Sequence, residues 1–330
     1  MKIALAMMDG LGSSAINAEQ LDRLATLGTI VDRQPLSDLS DDRARALLAD
    51  VDVLFGHWGC PTLTAAALDA APKLELFAYG AGTVKWQVTD AVWERGIRVT
   101  SAAAANAVPV AEYTVAMILL ANKGALLFRE RTRDPNLRLP FPNPLGNVAK
   151  RVGIVGASFV GRLVIDLLRP YALDVVVYDP YLTDVDAEAL GVAIERDLTR
   201  LCATVDVLSV HAPDIPQTRG MIGAEQIAAL RDGAVFINTA RPALIDQDAL
   251  IEHLTVGRLS AILDVTDPEP IPADHPLLAL PNVFVTPHIA GSIGSELSRM
   301  ADLAIDEIER FRLGRPLQYE VTRADLERIA

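Results

Sequence analysis

Three charged side chains in the C-terminal half have the types and the order that reduction of an oxo acid requires. Arg241 closes the phrase Phe236-Ile237-Asn238-Thr239-Ala240-Arg241, Glu269 lies in Asp264-Val265-Thr266-Asp267-Pro268-Glu269-Pro270, and His288 follows Val285-Thr286-Pro287. They are separated by 28 and 19 residues. Arginine's planar fork suits a carboxylate held through two parallel hydrogen bonds. An imidazolium can give a carbonyl oxygen its proton while hydride reaches the carbon. A glutamate beside that ring orients it and favours its charged form. An arginine after a strand is by itself usually a surface ion-pair partner; its two companions are what point to catalysis.

Such chemistry needs a hydride source, and residues 152–179 have the layout of a dinucleotide-binding turn. An apolar strand runs into Gly156-Ala157-Ser158-Phe159-Val160-Gly161, a helical stretch follows to Leu168, and the next strand ends at Tyr178-Asp179-Pro180. Gly156 can make the tight turn, and Gly161 lets helix pack on strand. The helix N-terminus faces a pyrophosphate, and Asp179 can accept hydrogen bonds from the adenosine ribose. Ser158 stands where a second glycine is usual, and its small side chain can donate to a phosphate oxygen. Asp179 favours NAD over NADP, whose 2′-phosphate a carboxylate repels at close range. The bland reading of Asp179 is a cap for the turn before Pro180.

These residues need strands to present them. The first hundred positions alternate strand patterns at 2–7, 51–55, 74–79 and 97–100 with helical ones at 18–27, 63–70 and 89–95, which implies a parallel sheet. A long helical pattern over 109–128 places Glu112 in its first turn. Pro135, Pro140, Pro142 and Pro144 then mark a surface connection. Strand patterns return at 151–155, 173–178, 205–210, 234–238, 261–265 and 283–286, six strands as a doubly wound nucleotide-binding sheet requires. Arg241 and His288 fall just beyond strand C-termini and Glu269 slightly further into its loop, at the ligand-binding edge of an open α/β sheet. A closing helix is expected over 292–313, with an extended piece and a short helix in 316–330.

The bulk numbers set the frame. At 330 residues two domains are the default. The 30 basic against 43 acidic residues give a net charge of −13, which repels a phosphate backbone, so nucleic acid is disfavoured. The densest basic stretch, 129–138, is broken by Glu130 and Asp134 and reads as a solvated loop. Cys60 and Cys202 lack the spacing of a metal or disulfide motif, so no metal is expected and a reducing cytoplasm fits. The apolar N-terminus is too short for a signal segment, and the run 115–121 stops at Asn122-Lys123, so no membrane span is expected. His253 and His275 have no metal-ligand spacing and are expected to be exposed.

Together these phrases make the chain resemble the D-isomer-specific 2-hydroxyacid dehydrogenases over nearly its whole length. The resemblance implies two α/β domains, Rossmann-like and flavodoxin-like with doubly wound parallel sheets, and an active site in the interdomain cleft. Residues 1–102 with 292–330 would form the substrate domain and 103–291 the NAD-binding domain. It implies a homodimer acting on a small 2-oxo or 2-hydroxy acid, with Arg241, Glu269 and His288 catalytic. Asp264 falls where the family meets the nicotinamide carboxamide. The cofactor contacts would be Gly156, Ser158, Phe159, Val160, Gly161, Asp179, His211, Pro213, Thr239, Ala240 and Asp264, although His211 at a strand end reads equally well as scaffold. Gly80-Ala81-Gly82 falls on the family's carboxylate-binding glycine loop, and Asn106 with Val110-Ala111-Glu112 on its asparagine and valine-alanine-glutamate positions. His57 and Trp58 would line the substrate pocket.

Two departures bear on the substrate: Thr83-Val84-Lys85 stands where an aspartate and another polar residue are usual, and Pro242 where a glycine follows the arginine. The chief alternative is a non-catalytic NAD-binding regulator of the same fold, against which the complete Arg, Glu and His trio argues. Formate dehydrogenases carry glutamine at the position of Glu269, so that branch is disfavoured. Trp58 favours an apolar or small substituent on the acid.

Overall fold

Short runs of β-branched and apolar residues that are buried on both faces can survive only as inner strands of a sheet covered by helices on each side. The chain has two sets of them. The computed structural model describes residues 1–128 and 145–327. The basic stretch 129–138 and the prolines at 135, 140, 142 and 144 lie outside the described residues. Two compact units form, Met1–Asn106 with Ser292–Ala330, and Ala107–Gly291. The first break falls inside the helix Ala103–Asn122.

The first unit holds β1 (Lys2–Ala6), β2 (Thr29–Ile30), β3 (Val53–Gly56), β4 (Leu76–Tyr79) and β5 (Arg98–Ser101). Their order is β2-β1-β3-β4-β5, all parallel, which is the flavodoxin-like winding. Alternate residues serve opposite faces: Val53, Phe55, Leu76 and Ala78 pack with the C-terminal helix Leu297–Arg312, while Leu54, Phe77 and Tyr79 fill the other core.

The second unit holds β6 (Val148–Val155), β7 (Ala172–Tyr178), β8 (Ala193–Ile194), β9 (Val207–Val210), β10 (Val235–Asn238), β11 (Ser260–Leu263) and β12 (Val283–Val285). Its order is β8-β7-β6-β9-β10-β11-β12, the dinucleotide-binding winding with its reversal between β6 and β9. The seventh strand beyond the six expected is β8, whose two residues are too short to leave a periodic signal.

The chain then returns to the first unit, where β13 (Glu320–Val321) pairs antiparallel with β5. Glu307, 1% exposed, accepts the backbone N–H groups of Gln318 and Tyr319 at 2.9 and 3.0 Å, and Arg98 donates twice to Glu320 at 2.7 Å. The tail is thereby fastened to the sheet.

Two expectations are corrected in the long helix. It starts at Ala103, well before Pro109, because the alanine-rich lead-in has high helix propensity and proline's fixed φ is itself helical. Glu112 therefore sits mid-helix and exposed, outside the first turn. By length and composition this helix also reaches membrane-spanning size, with mean hydropathy 1.5. Its Ala111, Val115 and Ile118 share a core with Ile154, Val164 and Val207. Gly124, at φ 66, separates it from the short helix Ala125–Phe128.

Two histidines follow strand ends inside these cores. Burial pushes His57 down to about 4 and His211 to about 3. The folded pKa values lie below the ordinary 6.5, so between pH 6.5 and 4 the unfolded chain binds protons that the folded chain does not. Stability is expected to fall as pH drops through that window, by up to ~1.4 kcal/mol per pH unit for each imidazole. Urea denaturation at pH 7, 6 and 5 tests this, and His211→Gln should flatten the slope; an unaltered slope in that variant would exclude His211 as a source.

Candidate active site

The turn after β6 is built for close approach. Gly156 has φ 99, and a Cβ there would stand 2.6 Å from the Ala212 nitrogen; one at Gly161 would stand 2.0 Å from the Gly156 oxygen. No side chain fits at either position, so the cradle left at the β6/β9 reversal and the helix N-terminus behind it suit a pyrophosphate. Ser158 caps that helix, Phe159–Leu168: its Oγ accepts from Gly161 N–H and donates to the His211 carbonyl at 2.8 Å. The expected donation of this hydroxyl to a phosphate is corrected accordingly, since its proton is already committed. Phe159 is half exposed, and Val160 packs on the apolar core beneath.

Asp179, just past β7, accepts Ala157 N–H and Tyr181 N–H at 2.7 Å each and Leu182 N–H at 3.2 Å. A carboxylate has about four acceptor sites, so the capping role leaves capacity for a ribose hydroxyl. Arg196 also reaches this loop, donating to Leu182 O at 2.8 Å and pairing with Asp184 at 2.7 Å. Sequence reasoning missed it because it arrives from beyond β8. His211 is buried, with Nε2 on Ser209 Oγ at 2.8 Å and Nδ1 unpartnered. The Pro213 carbonyl accepts from Thr218.

Beyond β10, Asn238 shapes the turn that launches Arg241: its Oδ1 accepts Ala240 N–H and its Nδ2 donates to the Arg241 carbonyl, both at 3.0 Å. The Thr239 hydroxyl meets that of Thr114 at 3.0 Å. Arg241 Nη1 donates to Ala240 O at 2.6 Å. Burial lowers the pKa of its guanidinium, against the opposing pull of Asp214 and Glu269.

His288 and Glu269 come together directly, Nδ1 to Oε1 at 2.5 Å, with both side chains partly open to solvent. That contact engages Nδ1 of the ring and not Nε2. The backbone of His288 is held in the left-handed region, at φ 56, which a non-glycine residue adopts only when its surroundings impose it. Asp264, 1% exposed, does the imposing. Its carboxylate accepts the Thr286 hydroxyl at 2.6 Å, Ile289 N–H at 2.8 Å and Ala290 N–H at 2.9 Å, while its carbonyl accepts His288 N–H at 2.9 Å. With the Thr286 proton given to Asp264, the Tyr113 hydroxyl donates to Thr286 Oγ1 at 2.7 Å. Burial raises the pKa of Tyr113 and keeps it a donor.

In the first unit, Gly80 N–H bonds Gly56 O at 2.7 Å, the Ala81 carbonyl accepts Ala102 N–H at 2.9 Å, and the Gly82 carbonyl accepts the Ser101 hydroxyl. Of the two residues expected to line a pocket, Trp58 is 36% exposed, whereas His57 is wholly buried with Nε2 unpartnered. Its Nδ1 accepts Trp58 N–H at 2.8 Å. Asn106 Oδ1 accepts Ser292 N–H at 2.9 Å. The expected exposure of two other histidines is corrected: both are half-buried, His253 accepting from Arg258 and His275 capping the helix Pro276–Ala279.

Residues 115–290 match the family model described as "D-isomer specific 2-hydroxyacid dehydrogenase, NAD binding domain". Among similar proteins, D-3-phosphoglycerate dehydrogenase of Methanocaldococcus jannaschii is 30% identical over 302 residues, covering 89% of this chain and 56% of that protein. Glyoxylate reductase of Korarchaeum cryptofilum is 30% identical over 272 residues, covering 80% and 81%. A solved Thermus thermophilus structure aligns with TM-score 0.75 at 28% identity, covering 98% of this chain and all of the other. The chain spans about half the length of the phosphoglycerate dehydrogenases it matches.

Because Asp264 is buried with every oxygen engaged, Asp264→Asn puts an amide donor against a backbone N–H. We predict a loss of ~1–3 kcal/mol in stability and faster hydrogen exchange at Ile289 and Ala290. Exchange at wild-type rates in that variant would show that Asp264 does not hold the His288 loop.

Proposed function

Because the chain belongs to the D-isomer-specific 2-hydroxyacid dehydrogenase family, we propose that it interconverts a D-2-hydroxy acid and the corresponding 2-oxo acid with NAD. The observation that carries this reading is the 2.5 Å hydrogen bond between His288 and Glu269, set in loops at the C-terminal edge of the NAD-binding sheet. Bound NADH supplies hydride to the oxo carbon. Arg241 grips the carboxylate and draws electron density from the oxo oxygen. His288 gives that oxygen its proton from Nε2 while Glu269 keeps the ring charged and aligned through Nδ1. Asp179 takes the ribose hydroxyls. Asp264 acts through the loop that carries His288.

Oxidation of NADH and NADPH with a panel of 2-oxo acids tests the reading. We expect turnover with clear preference for NADH, and Asp179→Ala should weaken NADH binding and narrow the preference. Arg241→Lys keeps the charge but loses the fork, so kcat/KM should fall at least about tenfold with NADH affinity little changed. No turnover with any 2-oxo acid would sink the proposal, and wild-type kinetics in Arg241→Lys would remove Arg241 from it.

The helix Ala103–Asn122 supports a homodimer: its exposed stripe of Glu112, Ala116 and Leu120 is apolar after Glu112, and only 44% of its most apolar window is buried. Leu120, Leu145 and Val148 are also exposed. Light scattering should give twice the 35.5 kDa chain mass, and a monomer at micromolar concentration would count against this assignment.

A further inference from the structure

The helix Ala103–Asn122 packs on the second sheet through Ala111, Val115 and Ile118, which share a core with Ile237 of β10 and Ile262 of β11. Thr114 falls in that same stripe, three positions after Ala111 and four before Ile118, and is wholly buried. A hydroxyl among apolar groups is costly unless it is hydrogen-bonded. Its partner is the buried hydroxyl of Thr239, at 3.0 Å. The preceding residue, Tyr113, meets Thr286 Oγ1 at 2.7 Å. All four residues lie in the unit Ala107–Gly291.

The two partners occupy matching places. Thr239 stands two residues before Arg241 in the loop after β10, and Thr286 two residues before His288 in the loop after β12. Asn238 and Asp264 shape these loops one at a time. Successive helical residues keep a fixed rise of about 1.5 Å, so Tyr113 and Thr114 refer both loops to one rigid body. Thr286 passes the restraint on through its carbonyl, which accepts His288 N–H at 3.0 Å, and through Asp264, which accepts its hydroxyl at 2.6 Å and Ile289 N–H at 2.8 Å. Thr239 lies inside the turn that Asn238 closes onto the Arg241 carbonyl at 3.0 Å.

We propose that Tyr113 and Thr114 are positioning residues that set the spacing of His288 and Arg241, Tyr113 acting through Thr286 and Thr114 through Thr239. The inference rests on the 2-oxo acid reductase reading above and deepens it. A 2-oxo acid carries its carboxylate and its oxo oxygen on adjacent carbons, so the guanidinium and the imidazole that serve them must keep one mutual distance. An error of about 1 Å in such a placement costs about a hundredfold in rate. Hydroxyls that did no more than anchor the helix would leave kcat and KM of the folded enzyme untouched.

Tyr113→Phe and Thr114→Val each remove one hydroxyl at nearly constant volume. Their kinetics are measured with NADH and whichever of glyoxylate, pyruvate and 4-methyl-2-oxopentanoate the wild type reduces fastest. Tyr113→Phe, which loosens the proton donor, should lower kcat about tenfold and leave the KM for the acid within about twofold. Thr114→Val, which loosens the carboxylate grip, should raise that KM about tenfold, and Thr114→Ser, which restores a hydroxyl, should bring it back. Amide exchange at His288 should quicken in Tyr113→Phe. Folded variants with wild-type kcat and KM, or a Thr114→Ser as impaired as Thr114→Val, overturn this inference and leave the reductase reading standing. If Thr114→Val fails to fold, Tyr113→Phe, at a half-buried side chain, decides alone. No turnover of any of the three acids by the wild type overturns both.

Discussion

A parallel strand cannot be joined to its neighbour by a tight turn; the chain must cross back over a face of the sheet before it can run in the same direction again. Everything chemical in this protein follows from that constraint. Each crossover begins at a strand's C-terminal end, so in the second unit the glycine turn after β6, Asp179 after β7, His211 after β9, Arg241 after β10, Glu269 after β11 and His288 after β12 all leave from one edge. In the first unit the same rule collects Met8, Trp58 and the Gly80–Gly82 loop. Residues far apart in the chain are gathered without any of them having to pair in folding.

The constraint delivers the loops, but it does not shape them. Shape comes from backbone groups satisfied by a few side chains whose own polarity would otherwise make burial costly. Asn238 folds the turn that carries Arg241, Ser158 and Asp179 fasten the glycine turn, and Asp264 fastens the loop of His288. A buried carboxylate with no cation beside it is tolerable only when its oxygens are filled by donors, and Asp264 takes two amides and a hydroxyl. The same bonds that make its burial affordable also set the backbone of His288.

What the sequence discloses and what it conceals divide along the same line. The phrases ending in Arg241, Glu269 and His288 and the turn Gly156–Gly161 are legible because each is local: a strand, a turn residue and one functional group within a few positions. The support is not local. Tyr113 reaches Thr286 across 173 positions, and Thr114 reaches Thr239 across 125. Arg196 joins the Asp179 loop only because β8 folds back beside β7. The start of the helix at Ala103 is hidden for a different reason: Pro109 suits a first helical position, yet the alanine run before it already favours helix. The two residues of β8 carry too little pattern to be seen at all.

The contact between His288 and Glu269 shows why that concealed support matters. Both side chains are more than two-fifths exposed, at 47% and 41%. An ion pair so open to water contributes at most ~1 kcal/mol and cannot by itself hold two flexible side chains in register. The 2.5 Å distance must therefore be set by the backbones that carry the pair. On the His288 side that means a left-handed residue pinned by four bonds to or beside Asp264, with Tyr113 steadying Thr286 from the long helix. On the function proposed above His288 gives a proton to a substrate that arrives from solvent, and a side chain that must stay open cannot be buried for rigidity. Here the rigidity is placed one layer beneath it, in a carboxylate that no substrate needs to touch.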